Sequence, residues 1–493
     1  MTVPAGKNGV MKPHSATVVG AGPNGLAAAI VLAQQGVRVT VLEAAETVGG
    51  GTRTAELTLP GLRHDICSAI HPLGLASPFL RGLELDKYGL TWRFPEIELA
   101  HPLDDEAAAL LHRSIEATAA GLGADGQRWQ QVFGPVVRGW DAISDHVLGP
   151  IVRLPRHPFR LAGFGMRAAP PATVLARAFR EEAAKGLFAG CAAHAFQPLD
   201  RPGTAAVGTM LVVSGHRYGW PVAEGGSHAI TLAMAQRLEE LGGNIVTGTT
   251  VRNLADLPDA DVTLFDTSPG GFADIAGAAL PERPRRAMRR WQHGPAAYKL
   301  DLAVRGPIPW RDPEVGRAGT VHLGGSFADV AASEGEMAAG RMPERPFVLL
   351  GQQYVADPSR SAGDLNPVWA YAHVPHAYEG DATDAVLAQI ERFAPGFRDQ
   401  IVATHVTTPA DYAAYNLNYV GGDISTGANT LRQLIVRPTL AGYDTGIPGM
   451  FLCSAATPPG AGVHGMCGYH AAHRALRHLA ATGKPGATDV RPG

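Results

Sequence analysis

Cysteine is scarce in this chain: four among 493 residues, Cys67, Cys191, Cys453 and Cys467, with no C-x-x-C pair. That scarcity excludes a disulfide scaffold, a cysteine zinc site and a redox dithiol, and no metal site is expected. A reducing, cytoplasmic setting suits such cysteine usage. Net charge is equally slight, −3 from 42 basic and 45 acidic residues. No bulk attraction to nucleic acid follows, and no basic–aromatic patch of that kind is present. The opening MTVPAGKNGVMKP lacks an apolar signal region, so residues 1–13 are expected to be a disordered leader. Charge is also absent from Ser15 to Ala33, a run that imitates a membrane span. Gly20, Gly22, Pro23, Asn24 and Gly25 in its middle argue for a turn instead. Glycine and proline are abundant, 60 and 38 residues, and imply many turns and short connections. At 493 residues, two or more domains are expected.

The richest stretch is Thr17 to Glu43. Thr17–Val19 reads as a strand, Leu26–Gln34 as a helix and Val37–Leu42 as a second strand, with Gly20, Gly22 and Gly25 spelling G-x-G-x-x-G between them. Such a turn suits a dinucleotide: Gly20 permits the bend, Gly22 lets backbone approach a pyrophosphate, and Gly25 lets helix meet strand. The helix N-terminus faces the phosphate charge. Glu43 follows 18 residues after Gly25, placed to accept hydrogen bonds from both ribose hydroxyls of an adenosine and to repel a 2′-phosphate.

A second glycine cluster, Gly49, Gly50 and Gly51, follows at once with Thr52 and Arg53 as polar arms. A plain nicotinamide domain does not need it. Together with Gly20–Gly25 and Glu43 it resembles the N-terminal signature of the phytoene desaturase-like and flavin amine oxidase superfamily of FAD enzymes. Segment Gly61–Gly74 is similar to the family's next motif, with Asp65 flanked by His64 and His71, though Leu62 and Cys67 replace its usual aromatic and glycine. The order Gly225–Gly226, helix His228–Leu241, strand Asn244–Val251 and Asp261–Asp266 also matches the family. Near the C-terminus Gly460, Gly462 and Gly465 spell G-x-G-x-x-G again. No βαβ unit follows, so this is read as the family's flavin-closing turn, which aims a helix N-terminus at the flavin. The nearest branch is the phytoene-desaturase-like group that includes pyridine nucleotide-disulphide oxidoreductase domain-containing protein 2.

The resemblance implies an α/β fold: a discontinuous Rossmann-like FAD-binding domain of glutathione-reductase type, with a mixed-sheet and helical substrate domain. Residues 14–75, 221–290 and 440–482 would form the FAD domain. Residues 76–220 read as a helical insertion (Glu106–Ala120, Arg128–His146, Ala172–Ala189), 291–439 as a mixed-sheet substrate domain, and 483–493 as a loose tail. The residues assigned to non-covalent FAD are Gly20, Gly22, Pro23, Asn24 and Gly25, then Glu43 and Ala44, then Gly50, Gly51, Thr52 and Arg53. Val251, Ala456, Gly462, Val463 and His464 complete the set. Lys299, at the start of a strand in GPAAYKLDLAV, takes the place where the family puts a lysine linked to the flavin through a water, the alternative being an exposed structural lysine. His464 is expected to face the isoalloxazine, and with Lys299 it is the catalytic candidate.

The activity implied is an FAD-dependent dehydrogenase, desaturase or oxidase that removes a hydride from a small, largely apolar organic substrate, with dioxygen or a quinone as acceptor. An amine oxidase with Tyr412, Tyr415 and Tyr419 as an aromatic cage is one rival. A flavin-bearing scaffold or chaperone without turnover is the other. Pro150 to Arg180 carries six arginines and no acid among apolar side chains. It reads as a peripheral contact with an anionic membrane, or else as a solvated basic face or the subunit contact of a homodimer.

Overall fold

The computed structural model describes residues 13–150 and 153–482, so the expected leader up to residue 12 and the expected tail lie outside the described residues. β1 (Ser15–Val19) ends at Gly20, whose φ of +102° only glycine adopts without strain. α1 (Pro23–Gln34) begins on a proline at its first turn, where the missing N–H costs nothing, and β2 (Arg38–Leu42) follows. α1 is buried continuously from Asn24 to Ala33, as an uncharged helix with no polar stripe must be.

The chain continues through β3 (Ile97–His101), β4 (Ala109–Leu111), α2 (Gly126–Val147), α3 (Pro158–Ala168), α4 (Glu182–Ala193), α5 (Thr204–Tyr218) and α6 (His228–Glu240). Next come β5 (Asn244–Val246), β6 (Val262–Phe265), β7 (Ala296–Arg305), β8 (Ala318–Leu323) and β9 (Val348–Gly351). β10 (Leu365–Val374), β11 (Ile401–Thr407), β12 (Met450–Leu452) and α7 (Met466–Ala481) complete the main elements. Two sheets organise them. A five-stranded sheet in the order β12-β6-β1-β2-β5 is parallel throughout, with Thr17 opposite both Thr263 and Thr40. Its strands come from three stretches of chain far apart in sequence. α7 and α6 cover α1: a Cβ on Gly468 of α7 would collide with the Asn24 carbonyl oxygen.

The second sheet has seven strands in the order β11-β7-β10-β9-β8-β3-β4, antiparallel except where β8 meets β3. Its register puts Lys299, Tyr371, Leu349 and His322 in one row across β7, β10, β9 and β8. Asp301, Trp369, Gly351 and Thr320 form the neighbouring row. α4 lies against this face through glycines, because a Cβ on Gly190 would collide with His322 and one on Gly186 with His101.

Three sequence expectations need correction. Glu106–Ala120 is not one helix: Ala109–Leu111 pairs with β3, and only Ile115–Gly121 is helical. Ala172–Ala189 is broken at Arg180–Glu181 into short turns and α4. The expected strand Asn244–Val251 is formed only over Asn244–Val246, and the mainly helical segment 76–220 also gives β3 and β4 to the seven-stranded sheet. Among the described residues no helix is long and apolar enough to cross a membrane.

Candidate functional site

A single cavity of about 1360 Å³ runs between the two sheets. That exceeds the roughly 300–1,000 Å³ of an ordinary ligand pocket and leaves room for a dinucleotide and a substrate together. Gly20, Gly22, Pro23 and Asn24 line one end, with Glu43 and Ala44 at the tip of β2. Gly50, Gly51, Thr52 and Arg53 line it beside them, as do Val251, Gly462 and Val463. The two glycine loops abut: a Cβ on Gly50 would come within 3.1 Å of the Gly22 Cα. Gly25 lies behind the lining, where a side chain would collide with the Gly20 carbonyl oxygen, so its role is close packing of helix on strand.

The Glu43 carboxylate accepts from the Ala21 N–H at 2.7 Å and the Ala45 N–H at 2.9 Å, and pairs with Arg53 at 3.2 Å. A carboxylate has about four acceptor sites. One remains, so Glu43 can take one ribose hydroxyl directly, and a grip on both requires a partner to give way. Arg53 also donates to the Thr47 carbonyl at 2.7 Å and lies 5.4 Å from the Tyr415 ring. The second glycine loop is thereby tied to the tip of β2.

Four expected residues occupy other places. Ala456 is buried beside the lining residue Ala455. His464 is buried and does not line the cavity; its Nδ1 accepts from the Met466 N–H, capping α7, and its carbonyl accepts from Ser77. Burial pushes its pKa down to about 4. Lys299 is fully buried, so the exposed-lysine reading is corrected. It is ion-paired with Asp301, whose other oxygen is 3.3 Å from His64, and it lies 5.9 Å from the ring of the lining residue Trp369. Asp65 is fully buried and ion-paired with Arg360, and accepts from Ser227 N–H at 2.7 Å and Thr54 at 2.8 Å. His71, by contrast, lines the cavity. Of the proposed aromatic cage, Tyr415 and Tyr419 line the cavity, whereas Tyr412 is buried with its hydroxyl donating to the Ile66 carbonyl.

Several residues in and around the site escaped the sequence reading. Asp266, at the end of β6, accepts from the Gly25 N–H at 2.9 Å and crowds Gly22. Burial pushes its pKa up to about 7, against the pull of that N–H. The signal was available, since β6 adjoins β1 and ligands of parallel sheets sit at the carboxyl ends of such strands. Arg437 is buried near Gly460, donating to the Ala455 carbonyl at 3.1 Å and lying 5.5 Å from the Trp291 ring. His194, just past α4, lines the cavity with Phe196, Val207, Met210, Leu211 and Trp220. Trp369 and Tyr371, perpendicular at 5.0 Å, line the same lobe from the sheet.

Comparison with known proteins agrees with this geometry. Residues 18–81 match the NAD(P)-binding Rossmann-like domain family. The chain is 25% identical to mouse pyridine nucleotide-disulfide oxidoreductase domain-containing protein 2, over 96% of this chain and 95% of that one. It is 27% identical to hydroxyneurosporene desaturase of Cereibacter sphaeroides, over 94% and 97%. A solved structure of putrescine oxidase bound to putrescine has the same fold, with a TM-score of 0.61 at 16% identity over 96% of this chain and 100% of that one.

Proposed function

We propose that this chain, an oxidoreductase of the phytoene desaturase-like and flavin amine oxidase superfamily, holds FAD non-covalently and takes a hydride from a largely apolar, uncharged organic substrate. The observation that carries this reading is the cavity itself. One end is built of glycine backbone, Glu43 and a helix N-terminus, and the other of Phe196, Val207, Met210, Leu211 and Leu349. The residues fit the cofactor. Gly22 and Gly50 leave no side chain between the two loops, α1 turns the positive end of its dipole toward a pyrophosphate, and Glu43 keeps a free acceptor. Bound FAD would supply the hydride acceptor, with dioxygen or a quinone taking the electrons onward.

The protein's own groups orient and exclude. Trp369, Tyr371 and the helices α4 and α5 screen the substrate lobe from water. The lining carboxylates Glu43, Asp266 and Asp274 all belong to the elements around the dinucleotide turn, so among the described residues the far lobe offers no anion to an ammonium substrate. An uncharged substrate follows. All four cysteines are buried, and burial pushes the Cys467 thiol up to about 12, which suits a non-covalent cofactor. We also propose that α3 and the residues before it meet an anionic membrane surface from which such a substrate is drawn.

The purified protein is expected to be yellow, and acid precipitation to release all of its flavin into the supernatant. Gly22→Leu should fold but remain colourless. Flavin that stays with the acid pellet would remove the non-covalent claim, and a Gly22→Leu variant with full flavin content would remove the assignment of the turn.

A further inference from the structure

The far lobe of the cavity contains an imidazole pair that no step above uses. His194 Nε2 and His322 Nε2 are 3.1 Å apart. The rings have centroids 5.1 Å apart and are each met edge-on by Trp220, at 6.0 and 5.7 Å. One N–H joins them, whichever ring carries it. His322 cannot turn toward anything else: its Nδ1 faces Gly190 of α4, is buried and has no partner. His194 lines the cavity, and its Nδ1 has no hydrogen-bond partner among the described residues, leaving that nitrogen for a ligand. Thr320, two residues before His322, also lines the cavity, and its Oγ1 is buried without a partner. Buried polar atoms are rarely left unpaired, so an orphan on a cavity wall marks where a ligand's polar group goes.

We propose that His194, braced by His322, is the polar recognition point of the substrate lobe, where it binds a hydroxyl or carbonyl of an otherwise apolar substrate. This deepens the reading of the cavity as an oxidoreductase substrate site and rests on it. Tyr371 and Leu349, which follow His322 in its sheet row, line the same lobe, so the apolar part of the substrate lies on them while its polar group meets the imidazoles.

Charge selects the end group. Burial pushes His194 down to about 3 and His322 well below its usual range, so both rings are neutral. A neutral pair offers an N–H or a lone pair but no cation for a carboxylate and no anion for an ammonium. A hydroxyl or carbonyl is satisfied; a charged terminus is desolvated without compensation.

The test uses the protein as purified and the probes decane, decan-1-ol, decanoate and decylamine, with binding followed by quenching of tryptophan fluorescence. Decan-1-ol should bind wild type more tightly than decanoate or decylamine. His194→Phe should lower the preference for decan-1-ol over decane about tenfold, the size of one lost buried hydrogen bond, and leave decane within about threefold. His194→Gln, which keeps a donor and an acceptor, should restore most of it. His322→Phe, which removes the brace, should also lower it and serves if His194→Phe does not fold. An unchanged preference in the variants, or tightest binding of a charged probe, overturns the proposal while leaving the apolar cavity standing. Failure of every probe to bind wild type overturns the apolar-substrate reading itself, and this proposal with it.

Discussion

Asp266 changes what pH does to the dinucleotide end of the cavity. Its carboxyl stays protonated up to about 7, against an ordinary 3.8, because burial outweighs the one N–H it accepts. Between about pH 4 and pH 7 the folded chain therefore binds a proton that the unfolded chain does not. This group's contribution to stability falls as pH rises through that window and is flat above it. A phosphate near Gly22 favours the protonated form for the same electrostatic reason. Asp266→Asn should hold FAD equally well at pH 6 and pH 8, whereas wild type should release it roughly tenfold faster at pH 8. Dialysis followed by flavin absorbance reads both rates, and an identical pH ratio in the two proteins would show that Asp266 does not face the cofactor.

α3 is an element with a face that none of the described residues covers. Phe159 and Met166 are 91% and 73% exposed and seven residues apart, two helical turns, so they share one side; Leu154 just before them is 96% exposed. Several arginines of this stretch are already committed. Arg153 pairs with Asp145 at 2.9 Å, and Arg167 donates to the Val132 and Gly163 carbonyls. Each basic group near an anionic leaflet contributes about 1 kcal/mol, and each inserted large side chain roughly 1.5–3 kcal/mol at full burial. The apolar residues therefore outweigh the remaining charges, and Phe159→Glu should weaken binding to anionic vesicles at least tenfold. Flotation of wild type that ignores lipid charge and salt, or of Phe159→Glu at wild-type level, would count against the membrane face.

The same scale explains what was legible in the sequence. β1, α1 and β2 were readable because local chemistry and final packing agree there: β-branched runs, a proline at the first helical turn and glycine where φ is positive. Ala109–Leu111 was misread because alanine and leucine favour helix, while pairing with β3 in a seven-stranded sheet overrides that preference. His194 could not be seen as a neighbour of His322. That contact spans 128 residues and exists only once the strands are in register.

Histidine burial governs the acid behaviour of the whole molecule. His71, His101, His216, His464 and His470 are pushed down to about 4 and His194 to about 3, each mainly by burial. Their folded values lie below the unfolded 6.5, so their contribution is complete above pH 6.5 and is lost as pH falls from there toward 4. Asp266 and Glu98, both pushed up to about 7 by burial, act oppositely with one proton each. On the order of four protons net are therefore taken up on unfolding near pH 5, and Tm should fall by roughly 5 °C per pH unit between pH 6.5 and 4.5. Calorimetry in buffers of different ionisation enthalpy counts those protons directly, and an uptake near zero would refute this account.

The parallel sheet has one further consequence, for how the molecule is made. β1, α1 and β2 leave the ribosome long before β12 and the helix α7 that seals α1, which arrive some 410 to 440 residues later. At about 5–20 residues per second, the apolar surface of α1 waits roughly 20 to 90 seconds for its cover. Throughout that interval the nascent chain presents a greasy, uncharged helix to whatever chaperone is nearby. Until β12 and α7 arrive the glycine turn lacks the packing that holds it, and a nucleotide is expected to load there only afterwards.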